Sequence, residues 1–201
     1  MYKLVNKNIQ NKRMEGYFIE AGYDILKEKG VEDLTVRNIA KRAGYSYATI
    51  YNYFNNAEEL MWSIGLKVLN DLAQILEEYY HDIKQNKKCS ELLRLTYIKY
   101  IDYYLENENI YQFIFFEQLD VNDFNSQVEK PEAMLFNLQQ EIMQKCVDED
   151  LITENKKKIS GELLTNSING LLSLYFSGKE NLNKDDLYSK TKKYIDYILS
   201  D

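Results

Sequence analysis

Between Tyr45 and Tyr53 the chain sets out Tyr45, Ser46, Tyr47, Ala48, Thr49, Tyr51, Asn52 and Tyr53, a run of hydroxyls with one carboxamide, one small gap and no carboxylate. Groups of this kind hydrogen-bond to phosphate oxygens and base edges without repelling a polyanion. If Ser46 caps a helix, its N-terminus adds free backbone N–H groups and a positive dipole end that suit a phosphate oxygen. The chemistry on offer is recognition of a nucleic acid. Catalysis finds little material elsewhere: His81 is the lone imidazole, the pairs Glu58-Glu59 and Glu77-Glu78 fall on exposed faces by spacing, and no GxGxxG, Walker, HExxH or GxSxG pattern occurs. The chain is expected to be no enzyme and to need no cofactor. Cys89 and Cys146 stand far apart without a CxxC pair, so a structural zinc site cannot be assembled and no metal is expected. Both cysteines are expected as ordinary reduced residues, with a redox role as the alternative.

The polar run needs a rigid support, which the residues around it supply. Thr35 reads as the N-cap of a short helix through Val36, Ile39 and Ala40 that stops near Ala43-Gly44, and Ser46 caps the next through about Phe54. Ala40 is small where the second helix crosses closely. Gly44 can take the positive φ that turns the chain. Ile50 plugs the angle, and Phe54 anchors the same face one turn later. Two helices crossing steeply around a tight turn form the motif whose second helix enters the DNA major groove, although such a pair can also be purely architectural.

Around this pair the chain reads as helix throughout. A first helix is expected from about Asn8 to Lys29, with Gly30 as its stop, and Asn56 with Glu59 resembles a capping box opening a long helix to about Asn86. Further helices are expected at about 90–106, 109–120, 131–149, 156–177 and 184–199. One Pro and eight Gly in 201 residues leave few breakers, so an all-α fold of about nine helices follows. The domains are set at 1–55 and 56–201. The net charge of −7 divides unevenly: residues 1–56 carry +3 and the remainder −10, a basic module on an acidic body. No apolar run approaches the ~20 residues of a membrane span, and the opening residues lack a signal peptide's apolar region, so the expected address is the cytoplasm.

The stretch Thr35-Val-Arg-Asn-Ile-Ala-Lys-Arg-Ala-Gly44, with Ser46, Thr49-Ile50-Tyr51, Tyr53-Phe54 and Glu58-Glu59-Leu60, resembles the TetR family of bacterial transcription regulators over about residues 10–62. The resemblance implies an Ω-shaped helical homodimer whose first three helices bind an operator and whose remainder binds a small-molecule effector and dimerises. Carried over by position, the DNA contacts are Thr35, Tyr45, Ser46, Tyr47, Ala48, Thr49, Tyr51, Asn52 and Tyr53, and the implied activity is ligand-responsive repression at a partly palindromic site. The family often has a basic residue at the positions of Tyr47 and Ala57. Here both charges are absent, and Lys7, Lys12, Arg13, Arg37, Lys41 and Arg42 are the available substitutes. Their absence supports the alternative reading, a helical ligand-binding or interaction protein that keeps the fold with weak DNA binding.

The resemblance also places an effector pocket among the fourth, fifth, seventh and eighth helices, bringing in Trp62, Tyr97, Tyr100, Tyr104, Met134, Leu138 and Asn166. The aromatic residues of the acidic body read first as core or dimer packing, with ligand stacking as the alternative. Asn166 and Asn169 sit three apart in an apolar helix, either satisfied across helices or poised for a ligand. Glu117, after three aromatic residues in four, suits a lipophilic cation. The effector is therefore expected to be mainly apolar or aromatic, with a cationic group as one option. Gly170, Ser173 and Ser177 make a small-residue strip which, with Leu174, is the expected dimer interface.

Overall fold

The structure, a computed structural model, describes residues 2–117 and 131–200. Every described element is helical. α1 (Tyr2–Lys29) starts earlier than the apolar periodicity suggests and stops at Gly30, whose N–H still donates to the Leu26 carbonyl at 3.0 Å while its φ of 86° turns the chain away from the helix. A side chain there would press on Asn109, with a Cβ 3.0 Å from Oδ1. A single 3-10 turn, Val31–Asp33, leads to α2 (Val36–Ala43). Thr35 caps α2 as expected, its hydroxyl accepting from the Asn38 N–H at 3.2 Å, and Gly44 ends it at φ 80° with the Tyr45 N–H folded back on the Ala40 carbonyl at 2.9 Å.

α3 (Tyr47–Ile50) is shorter than the expected Ser46–Phe54 helix. Its end tightens into turns in which the Tyr53 and Phe54 N–H groups share the Ile50 carbonyl, at 2.9 and 3.0 Å. The extra residues remain on the same coil of chain without extending the helix. α4 (Ala57–Ile83) opens on Asn56, whose Oδ1 accepts from the Glu59 N–H at 2.7 Å, while the Glu59 carboxylate reaches the Asn55 N–H instead of completing the box on Asn56. Then follow α5 (Cys89–Glu106), α6 (Glu108–Phe116), α7 (Pro131–Asp148), α8 (Glu154–Phe176) and α9 (Lys184–Leu199). The expected continuation of α6 to residue 120 lies outside the described residues. None of the described helices is long and apolar enough to cross a membrane.

The chain packs as two compact units, the first built on residues 1–71 with α6, the second on 72–106 with α7, α8 and α9. The first half of α4 belongs with α1–α3 in this packing. In the first unit Phe18, Ile39, Ile50, Leu60 and Ile64 are fully buried, each contributing roughly 1.5–3 kcal/mol of hydrophobic stabilisation. Gly22 lets α1 approach Ile64 so closely that a Cβ there would overlap its side chain. In the second unit α5 packs on α7 and α9, α7 on α8, and α8 on α9, around Leu92, Ile101, Met143, Leu164, Ile168 and Leu172.

One expectation fails here. Cys89 and Cys146 are joined in a disulfide, Cα atoms 5.1 Å apart, and both are fully buried. The bond ties the first residue of α5 to the last turn of α7. Beside it the Cys89 N–H donates to the Glu149 carboxylate at 3.0 Å. Antiparallel packing of two helices brought together residues that are 57 positions apart in sequence.

Candidate functional site

Two candidate sites arise, one in each unit. In the first, Ile50 and Phe54 are buried under α2 as the crossed pair requires, and the other side of the same coil faces outward. Tyr45, Tyr47 and Tyr51 are 42%, 58% and 47% exposed, large values for aromatic side chains. Ser46, Ala48 and Asn52 are exposed beside them, while Thr49 and Tyr53 are half-buried. Tyr45 is braced edge to face on Phe18, ring centroids 5.5 Å apart, with its hydroxyl on the Met14 sulfur, and Tyr53 rests on the same Phe18 with centroids 5.8 Å apart. Tyr47 and Tyr51 support each other edge to face at 6.5 Å. The Ser46 and Thr49 hydroxyls share one hydrogen bond at 2.8 Å, so Ser46 holds the N-cap position without capping a backbone N–H. All eight positions from Tyr45 to Tyr53 that were picked out as contacts thus lie on one rigid, hydroxyl-rich surface, with Thr35 exposed at the start of α2.

The basic residues divide. Lys41 is exposed. Arg42, expected to hold phosphate, turns back on α1: its guanidinium takes the Glu28 carboxylate with two hydrogen bonds, at 2.6 and 2.7 Å, and reaches Asp24 at 3.2 Å. The hydrogen bond from Arg42 holds the Glu28 carboxyl below its ordinary value, and the pairing raises the guanidinium further. Its fork is committed to fixing α2 on α1. Lys7 lies outside the residues whose side chains are described.

In the second unit a cavity of about 320 Å³ opens among α5, α7 and α8 with Leu76 of α4. Its walls are mainly apolar, from Leu76, Leu93, Leu135, Phe136, Leu138 and Ile142. Polar groups cluster on one side. Gln139 donates to the Tyr97 hydroxyl at 2.7 Å, to the Gly161 carbonyl at 2.9 Å and to the Thr165 hydroxyl, and the Tyr97 and Thr165 hydroxyls lie 2.8 Å apart. Gly161 permits this approach, since a Cβ there would stand 2.9 Å from Gln139 Oε1. Tyr100 donates to Asn169 Oδ1 at 2.8 Å. Burial pushes the Tyr97 phenol up, against the lowering by its bonds to Thr165 and Gln139.

A third feature is the outer face of α8. Gly170 is exposed and a Cβ there would meet nothing within 4 Å; Ser177 is exposed, and Ser173 and Leu174 are half-buried. Ile159 and Leu163, 57% and 55% exposed, continue the strip toward the helix start. Leu171, by contrast, faces the core.

Residues 18–63, the stretch that builds this crossed helix pair, match the family described as bacterial regulatory proteins, tetR family. Over these residues the chain is similar to the TetR family. The Fatty acid metabolism regulator protein of Bacillus subtilis is 30% identical over 92 residues, 46% of this chain and 46% of that protein, so less than half of the relative's length is matched. The fold extends over nearly the whole chain. The crystal structure of the transcriptional regulator FadR from Bacillus subtilis in complex with stearoyl-CoA superposes with TM-score 0.64 at 22% identity, covering 94% of this chain and 98% of that one. RolR in complex with resorcinol does so with TM-score 0.68 at 13% identity, covering 94% and 88%.

Of the residues proposed for an effector pocket, Tyr97, Tyr100, Leu138, Asn166 and Asn169 line the cavity. Trp62, Tyr104, Glu117 and Met134 do not. Trp62 and Glu117 belong to the first unit, Glu117 as the exposed residue that ends α6. Tyr104 is buried behind Tyr100, ring centroids 5.0 Å apart, and Met134 sits half-buried near the start of α7 outside the lining. Of the asparagines, Asn169 is satisfied across helices by Tyr100, while Asn166 stands exposed at the rim. Sequence reasoning missed Gln139, Thr165, Thr96 and Glu162. A Gln or Thr on an amphipathic helix reads as solvated, and the one available signal of a close approach was Gly161, a glycine inside a helix between Ser160 and Glu162.

Proposed function

We propose that this chain is a DNA-binding transcriptional regulator: a homodimer that represses from a partly palindromic operator and releases it when a small molecule enters the second unit. The observation that carries the reading is the rigid outward face Tyr45–Tyr53 on a crossed helix pair of TetR type. Tyr47, Thr49 and Asn52 contact base edges, with Asn52 suited to pair bidentately with adenine, and Thr35, Ser46, Tyr51 and Tyr53 hold phosphates. Lys41 adds a sequence-independent charge contact. The exposed strip of α8 pairs two protomers, placing their reading helices about 34–36 Å apart or somewhat more. The effector is mainly apolar or aromatic, as the walls of the cavity suggest. α4, which contributes residues to both units, is the element through which its binding reaches the operator.

Selection of bound fragments from the host genome, followed by retardation assays, tests this reading. Asn52→Ala relaxes base preference by roughly 1–3 kcal/mol, whereas Lys41→Ala weakens all sequences alike. An unchanged operator preference in Asn52→Ala sinks the contact assignment.

A second reading, a ligand-binding helical protein with weak DNA affinity, is favoured by the uncharged Tyr47 and Ala57 and by the commitment of Arg42 to Glu28. Heparin retention and the salt dependence of DNA binding separate the two, because each phosphate contact steepens that dependence.

A further inference from the structure

The selectivity of the second unit's cavity follows from a count of protons on its polar side, given the reading of that cavity as an effector site. The Gly161 carbonyl can only accept, which fixes Nε2 as the Gln139 atom turned toward it and toward the Tyr97 and Thr165 hydroxyls. Two amide protons and two hydroxyl protons meet three accepting atoms. Once the amide has given both protons, and one hydroxyl has donated to the other, one hydroxyl proton is left over. On the accepting side Gln139 Oε1 takes no hydrogen bond among the described residues. Thr96, on the same wall and 7% exposed, has a hydroxyl with no partner among them either. The wall thus holds an unused donor, an unused acceptor and a hydroxyl able to act as either, all neutral.

We infer that the cavity takes an uncharged amphiphile whose polar end both donates and accepts hydrogen bonds, a phenol, alcohol or amide on an apolar body. Such a group satisfies the free donor and acceptor together, while Phe136, Leu138 and Ile142 take the apolar part. An anion fares worse. Burial already raises the Tyr97 phenol, so these neutral groups replace little of the hydration a carboxylate gives up, and Glu162 on the lining repels it. A lipophilic cation gains from Glu162, an exposed carboxylate, but leaves the acceptor-seeking hydroxyl proton unmet. The volume, about 320 Å³, sits at the lower end of the range of roughly 300–1,000 Å³ for small-molecule sites.

Calorimetric titration of the full chain with a set of matched probes tests this: 4-butylphenol, 4-butylbenzoate, 4-butylbenzylammonium and 4-butyltoluene. 4-Butylphenol is expected to bind about tenfold or more tighter than the other three, the effect of polar groups left unpaired in a buried site. Thr96→Val and Gln139→Met should each weaken 4-butylphenol several-fold and leave 4-butyltoluene unchanged, the second reading doubling as a control on folding. The inference is overturned if the benzoate or the ammonium binds as tightly as the phenol, if the toluene matches it, or if none of the set binds. Retardation of a genome-selected operator fragment in parallel separates this from the wider reading. A phenol that binds without releasing DNA removes the effector role and leaves the ligand class standing; a benzoate that binds best and releases DNA does the reverse.

Discussion

Gln139 of α7 donates to the hydroxyl of Tyr97 on α5 at 2.7 Å, two helical turns along the same antiparallel seam from the Cys89–Cys146 disulfide. Leu93 and Ile142 lie between them, one turn in from each cysteine, and both line the cavity. The seam is therefore closed covalently at one end and by a polar network at the other. Tyr97→Phe keeps the ring and removes the hydroxyl that accepts from Gln139. A loss of about 1–2 kcal/mol is expected in urea unfolding, the cost of an unmade buried hydrogen bond. Equal stability of the two proteins would mean the network contributes nothing.

The disulfide at the other end has its own signature. A cross-link closing a loop of this length stabilises a chain by roughly 2–4 kcal/mol, so dithiothreitol should lower the urea midpoint of the wild type. It should leave a Cys89→Ser, Cys146→Ser double variant unmoved. Two thiols titrating with Ellman's reagent in denatured, unreduced protein would show the bond absent.

The Arg42–Glu28 pair predicts an acid limb. The hydrogen bond from Arg42 depresses the Glu28 carboxyl in the folded chain. A group lowered on folding adds stability that is present above its ordinary value and lost as pH falls through the depressed one. Glu28→Gln should be slightly less stable than the wild type near neutrality, the difference kept small because solvent screens the exposed pair, and its flatter curve should converge with the wild type's as pH falls through the acidic range. An acid limb as steep as the wild type's counts against the pairing.

Two glycines should respond in opposite ways. Gly44 sits at φ 80° in open space, so its conformation alone requires glycine, and Gly44→Ala should cost about 1–2 kcal/mol in thermal unfolding and weaken DNA binding. Gly170 is exposed inside α8 with room for a Cβ. There Ala should raise helix stability by up to about 1 kcal/mol, whereas the bulk of Gly170→Leu should lower dimer affinity in sedimentation. Normal dimerisation of Gly170→Leu would remove this face of α8 as the interface.

How far the chain could be read without its structure depended on the distance over which each interaction acts. The cap at Thr35, the positive φ at Gly44, the buried Ile50 and Phe54 and the outward tyrosines all rest on hydrogen bonds or periodicities spanning a few residues, so they were legible before any packing was known. The remaining features join elements distant in sequence. Arg42 was assigned to phosphate because its charge was visible and Asp24 and Glu28, one helix away, were not visibly beside it. The cysteines looked solitary until α5 and α7 ran antiparallel, and Gln139 looked solvated until α8 presented Gly161 to it. Side-chain type and spacing determined the helices and the outward, hydroxyl-rich face of Tyr45–Tyr53. Which distant residues met, and hence the disulfide, the buried amide and the selectivity of the cavity, was decided only when apolar burial fixed the order and direction of the helices.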